Sequence, residues 1–185
     1  MPHPHLAIHG HAIISDDDKI AGPDGLTPPS LRNDADWAYF QRALDAAAFT
    51  VLGRLGHAAN PNVKKRRRAV VSSSARGAET RDDATWWNPA KAPFADVAAR
   101  LAPAGGIVAV PGGRGVFDLF LALGFAEFHL VRARGVRVTG GRAIFSACDS
   151  GASAEEVLAR AGLTPSPSRP LDKGVDLTIW RSVRV

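Results

Sequence analysis

The spacing of apolar positions changes along the chain, and each change marks an element. Residues 6–14 form a mostly apolar run interrupted by Gly10, the pattern of a buried strand. A turn-rich stretch follows, Ser15-Asp16-Asp17-Asp18-Lys19-Ile20-Ala21-Gly22-Pro23-Asp24-Gly25, and Pro28-Pro29-Ser30 prolongs it. Loops of this length in compact domains are often functional. The period then turns helical. Asp36, Trp37, Phe40, Ala43, Leu44 and Ala47 trace one stripe, with Asn33 or Asp34 placed to cap its start. Residues 49–52 and 69–72 are short apolar strands. Between them lie a weak helix or loop and the basic run Lys64-Lys65-Arg66-Arg67-Arg68.

Residues 75–85 read as exposed loop, 85–87 as a short strand closed by Asn88-Pro89, and 94–101 as a helix with apolar positions 94, 97, 98 and 101. A continuous apolar strand at 107–110 ends in Pro111-Gly112-Gly113-Arg114-Gly115, and a helix spans 116–123. Residues 128–133 and 136–138 are strand candidates, 155–161 a short helix and 164–170 a surface linker. In the last strand Val175, Leu177 and Ile179 alternate with Asp176, Thr178 and Trp180. Strands alternating with helices predict an α/β fold. The sheet should be mostly parallel, with helices on both faces and one or two antiparallel strands at its C-terminal end.

Composition narrows the class. A chain of 185 residues favours one domain, here 1–185, and is long enough to bury a core without metal or disulfide. With 45% hydrophobic and 22% charged residues, collagen-like, coiled-coil and wholly disordered readings are excluded. The one cysteine, Cys148, rules out an internal disulfide and fits a reducing compartment. No apolar run reaches the roughly 18 residues of a membrane span. The opening Met1-Pro2-His3-Pro4-His5 lacks the order of a secretory signal. A soluble, cytoplasmic chain with no membrane partner is the expectation. The net charge of +5 favours anionic partners without choosing among them.

Candidate chemistry gathers at strand ends, where open α/β sheets bind their ligands. Gly112-Gly113-Arg114-Gly115 joins a strand to a helix. Glycines let backbone approach a phosphate and the helix start offers free N–H groups, although a plain tight turn has the same look. The spacing is not that of the Rossmann dinucleotide fingerprint. Gly53-Arg54 ends a second strand, and Ser72 and Ser73 end a third. An arginine with serines suits a terminal phosphate such as the 2′-phosphate of NADPH. Asp36 and Phe40 share a helix face. An acid beside an aromatic there can hold the edge of a flat nitrogen heterocycle, or it can simply complement the helix dipole. The basic run 64–68 lacks interleaved aromatics, so nucleic acid is not the expected partner. His3, His5, His9 and His11 alternate, and positions 9 and 11 share a strand face. No Cys, Asp or Glu stands among them at ligand spacing, so no metal is expected. His57 lies close enough after Arg54 to reach a phosphate or to sit on the surface. Nucleophile elbow and Walker motifs are absent.

In this order the pieces resemble the dihydrofolate reductase superfamily, which includes dihydrofolate reductase and the reductase domain of riboflavin biosynthesis. The resemblance covers residues 6–145 and extends to the last strand. Asp17-Asp18-Lys19-Ile20-Ala21 is similar to the family's "D-G-x-I-A" turn, which precedes a mobile active-site loop. Arg32-Asn33-Asp34-Ala35-Asp36-Trp37-Ala38-Tyr39-Phe40 resembles its substrate helix. Asp36 falls on the catalytic acid and Phe40 on the aromatic four residues later. Asp34 is a rival acid, and helix phase favours Asp36. Leu52-Gly53-Arg54 resembles the "G-R" of the cofactor-phosphate helix, and Val71-Ser72-Ser73 the strand end near the 2′-phosphate. Val110-Pro111-Gly112-Gly113-Arg114-Gly115-Val116-Phe117 resembles the "G-G-x-x-(V/I)-(Y/F)" cofactor loop, whose Gly-Gly bond is often cis. Arg66 falls near the arginine that pairs the substrate's glutamate carboxylate. Ile13 and Val131 fall at substrate-pocket positions.

The resemblance implies NADPH as cofactor and hydride transfer to an imine carbon of a pterin-type heterocycle anchored by Asp36. It equally admits the riboflavin-pathway reaction on a ribosylamino-pyrimidine phosphate. A member of the fold that binds nucleotide or pterin without turnover is also open, and a homodimer is compatible. Two positions depart from the family pattern: Gly56 stands where a Thr or Ser is usual, and Val131 where a substrate-network Thr is usual. The loop also has no Trp near Pro28-Pro29.

Overall fold

Strand β1 (Leu6–Ile14) lies at the centre of the structure, a computed structural model that describes residues 5–183. It is followed by β2 (Lys19–Ala21), α1 (Asp34–Ala46), β3 (Phe49–Gly53), α2 (Arg54–Ala59), β4 (Arg68–Val71), β5 (Ala78–Arg81), β6 (Ala84–Trp87) and α3 (Phe94–Leu101). Then come β7 (Gly106–Gly112), α4 (Arg114–Leu123), β8 (Glu127–Ala133), β9 (Arg142–Ala143), α5 (Ala154–Arg160), β10 (Leu163–Pro165), β11 (Arg169–Asp172) and β12 (Val175–Ser182). The main sheet runs β10-β12-β8-β1-β7-β3-β4-β6-β5, with β11 paired to β12; β2 and β9 form a separate two-stranded ribbon. From β8 to β6 every pair is parallel, and β12 and β5 are antiparallel to their neighbours β8 and β6. This is the α/β architecture that the alternation of strands and helices predicts.

The two faces of the sheet are filled differently. On one, Phe117 and Phe120 of α4, Val97 of α3 and Leu158 of α5 join Phe49, Val51, Val108, Val110 and Phe128 in one large cluster. Strand residues of the opposite parity form small separate clusters beneath α1 and α2, such as Leu52, Val70 and Ala84. The crowded face explains Gly10. A Cβ there would lie 2.3 Å from the Phe128 ring, so only glycine lets that ring cross β1.

Three predicted segments differ. Residues 78–81, read as loop, are β5, which turns at Asp82 (φ +49°) and pairs with β6. It is an edge strand, so its polar residues face water, and Glu79 pairs with Arg81. Residues 136–138, read as a strand, are loop. Their valines are apolar because they cover Leu31 and Ala133, and their backbone is held by the preceding aspartates: Asp16 N–H donates to Val136 O (2.7 Å) and Val138 N–H to Asp17 Oδ1 (3.1 Å). Residues 164–170, read as linker, contribute to β10 and β11, which share the edge of β12 opposite β8, β10 at its C-terminal end and β11 at its N-terminal end. Among the described residues no helix is long and apolar enough to cross a membrane.

Candidate active site

The C-terminal ends of β3, β4 and β7 meet on one side of the sheet. Leu52 stands opposite Gly112, and Gly53 opposite Val71. At this junction a Cβ on Gly53 would lie 3.8 Å from the Gly113 amide nitrogen and 3.6 Å from Val116 Cγ2. The peptide between Gly112 and Gly113 is cis, as the resemblance implies. Gly112 takes φ +97°, and a Cβ on it would strike the Phe117 ring at 2.7 Å, so the position needs glycine. At Gly113 and Gly115 nothing lies within 4 Å of an added Cβ, which leaves open space before the start of α4. Gly113 caps α4 without a side chain, and no acid occupies its first turn. Buried Val116 packs beneath this junction.

The side chains predicted at these ends are not alike. Arg54 is exposed, and among the described residues it makes no hydrogen bond or ion pair. Ser72 is buried, its hydroxyl 2.8 Å from that of Ser74, while Ser73 is exposed. Arg81, which the sequence reading left in a loop, reaches Ser74 O (3.1 Å) and stacks over Trp86 at 5.1 Å. It adds a cation to the serine turn. Arg114 is held by Asp149 (2.6 Å) across the site's rim. Gly56 is not required sterically, since an added Cβ would meet only Leu52 Cδ1, at 3.7 Å. His57 stands edge-on to Trp86, and its buried Nδ1 has no hydrogen-bond partner.

Helix α1 carries the predicted acid. Asn33 caps it, its Oδ1 accepting from Asp36 N–H at 3.0 Å. Asp34 is exposed at the first helical position; Asp36 is largely withdrawn from water. Among the described residues no cation or donor side chain compensates Asp36, and burial pushes its carboxyl up to about 6. Phe40 packs one turn along, 5.9 Å from the His11 ring. Ile13 pairs in register with Val131. Val131 is buried in an apolar cluster with Val175 and Leu177, so this wall offers no hydroxyl. Beyond Ile13, residues 30–33, 133–136 and 173–175 contribute to a cleft of about 150 Å³ that does not reach Asp36.

Arg66 has a partner within the chain. Its guanidinium binds Asp45 Oδ1 (2.5 Å to Nη2, 3.0 Å to Nε) and Gln41 Oε1 (2.9 Å), both on α1. Lys64 also reaches Asp45, Arg67 donates to Leu101 O and Arg68 to Asn60 O. The basic run is therefore tied down along most of its length. The turn resembling "D-G-x-I-A" holds Asp18 at φ +59° in the glycine position, fixed by Arg132 (2.8 Å) and by the Ala154 amide (3.1 Å). The loop after it approaches the start of α2: a Cβ on Gly25 would lie 3.0 Å from Leu55 Cδ1, next to Arg54.

One cluster escaped the sequence reading. His9 and His11 of β1 meet His129 of β8 beneath α1, because His11 and His129 are register partners. The alternation of His9 and His11 was the one available signal. Their third member lies far along the chain. His3 lies outside the described residues.

No protein-family profile matches the chain, and no curated relative does. Solved structures do. A protein assigned to riboflavin biosynthesis from Shewanella sp. PV-4 superposes with a TM-score of 0.67 at 17% identity, over 97% of this chain and 100% of its own. A pyrimidine reductase-like protein from Corynebacterium diphtheriae gives 0.66 at 14% identity, over 97% and 93%. Dihydrofolate reductase from Enterococcus faecalis, complexed with NADP(H), gives 0.65 at 14% identity, over 95% of each chain. The cis Gly112–Gly113 junction, the strand order and these superpositions assign the chain to the dihydrofolate reductase-like fold.

Proposed function

We propose that the chain is an NADPH-dependent reductase of a small nitrogen heterocycle of the pterin or pyrimidine type. Asp36 carries this reading: a carboxyl with no internal partner, raised to about 6, one helical turn before an aromatic. A buried acid left unpaired is a costly arrangement, and an incoming ring edge with N–H donors would relieve it. The strand ends fit a phosphorylated dinucleotide. The backbone at Gly113 and Gly115 is open, Arg54 is unengaged, and Ser73 is exposed beside a turn that Arg81 reaches. NADPH held there would supply the hydride. The chain's own residues bind and orient. Arg54 and the serine turn hold phosphate, and the glycines admit the cofactor backbone. Phe40 packs against the heterocycle. Asp36 accepts from the ring edge and, titrating near 6, can hold a proton close to the nitrogen that must receive one.

Calorimetric titration with NADPH, with NADH as control, tests the cofactor half of the proposal. Preference for NADPH is expected, and Arg54→Ala should erase most of it. Asp36→Asn should lose most turnover and keep NADPH binding. Near wild-type turnover of that variant would overturn the catalytic assignment. Failure of both cofactors to bind would favour a ligand-binding member without turnover.

A pyrimidine substrate is favoured over dihydrofolate by one observation. Arg66, expected to pair a glutamate tail, is already satisfied by Asp45 and Gln41. A tail carboxylate would have to displace Asp45, whereas a ribosylamino-pyrimidine phosphate has no such need. Activity on that substrate and not on dihydrofolate is the expected result, and the reverse would reject this preference.

A further inference from the structure

We infer that His9, His11 and His129 form a binding site for a divalent cation that prefers imidazole ligands, of the Zn2+ class. Each ring offers one nitrogen, and the three lie within 4.8 Å of one another. A tetrahedral zinc centre needs ligand nitrogens about 3.3 Å apart, given Zn–N bonds of about 2.0–2.1 Å. Side-chain rotation of less than about 2 Å would close the set. The backbone already does the hard part, since two ligands sit two residues apart on one strand and the third sits in register on the neighbouring strand.

His11 gives the site its direction. The residue is only 6% exposed, and its ring enters no hydrogen bond with the described residues, so it has a lone pair to offer a cation. The rings of His11 and His129 stack at 4.5 Å and those of His9 and His129 at 5.6 Å, which draws the three imidazoles into one compact group.

The surroundings suit a cation. Glu127 Oε2 lies 3.0 Å from His129 Nε2 and 4.0 Å from His9 Nδ1, an anionic donor beside the same space. Its other oxygen is held by Arg181 at 2.9 Å, which fixes the carboxylate and takes back part of its charge. Tyr39 Oη lies 2.5 Å from His129 Nδ1. A phenol can donate to that nitrogen or accept from it. It can therefore let His129 move its proton to Nδ1 and free Nε2 for the cation, as partners of metal-bound histidines commonly do. Tyr39 sits on α1 between Asp36 and Phe40, so the cation would pin this helix to β1 and β8. The site does not depend on the reductase reading.

The test uses the untagged full-length chain with His3→Asn and His5→Asn, which removes the terminal histidines as rivals. Equilibrium dialysis against micromolar Zn2+ should retain one equivalent and raise Tm; Mg2+ should do neither. Co2+ in place of Zn2+ should give the absorption of a tetrahedral site. His11→Gln should weaken Zn2+ binding at least about 100-fold, and Tyr39→Phe about 10-fold, in line with losses on removing outer partners. Failure to retain Zn2+, equal retention of Mg2+, or Zn2+ binding unaltered by His11→Gln would each overturn the site. Should His11→Gln not fold, the Co2+ spectrum of the background chain decides.

Discussion

Asp36 and the histidine cluster bear opposite relations to pH. Unfolded, Asp36 has an ordinary carboxylate pKa of 3.8, and folding raises it to about 6. The folded state then binds the extra proton, so this residue's contribution to stability falls as pH rises from about 4 through 6. Each unit is worth 1.36 kcal/mol, and partial exposure reduces the total to about 1–2 kcal/mol. Asp36→Asn should be more stable than the parent by that amount at pH 7–8 and nearly equal to it at pH 4, as read from urea unfolding at both pH values. His11 and His129 work the other way. Their folded values are depressed to about 3 and about 4 from 6.5, so the stability they contribute is complete above 6.5 and is lost as pH falls toward those values. His11→Gln should flatten the loss of stability between pH 6.5 and 4; an unchanged slope would mean that other groups dominate acid unfolding. Helix phase made it legible in the sequence that Asp36 lies deeper than Asp34, because burial in a helix follows its period. The cluster was illegible, because its third ligand is brought by strand pairing rather than by local spacing. Arg66 was legible in the sequence only as a cation for a substrate carboxylate; its internal partners, Gln41 and Asp45, lie off the apolar stripe of α1 and gave no signal.

At the scale of elements, strong periods and turn chemistry were read well and edges poorly. The helix at Phe94–Leu101 and the apolar strand leading into Gly112 emerge from hydrophobic spacing alone. Strand β5 does not, because an edge strand with water on one side needs no apolar alternation. Strand β10 ends in Pro165 and β11 contains Pro170, so both carry the residue that normally argues against a strand. They are tolerated because each needs only one partner, β12. Within β1, Gly10 looked like an interruption and is a packing requirement. Gly10→Val should cost roughly 1–3 kcal/mol, the range of overpacked cores, because Phe128 and Phe125 must move together. Thermal unfolding measures this, and a variant as stable as the parent would mean that the Phe128 ring has another place to go.

Across the whole molecule, the sheet grades from a doubly covered centre to guarded edges. Backbone amides of β1 and β7 should exchange with deuterium only through global opening, whereas β5 and β10 should exchange by local fraying. Comparable protection at centre and edge would contradict the strand order. The edges carry Glu79, Arg81 and Pro165, features that discourage strand-to-strand addition. A homodimer would therefore have to form through another surface.

The seat of β1 between β7 and β8 has a consequence for how the protein is made. Strand β1 has no neighbour until residues 106–133 have been synthesised. While those residues are still being added, an apolar segment with its histidine pair waits without a partner, and the sheet cannot close around it. Such late pairing between distant segments slows folding and leaves sticky surface uncovered in the meantime. The newborn chain is thus most in need of a chaperone over this interval, and damage to β8 would strand the N-terminus as surely as deleting it.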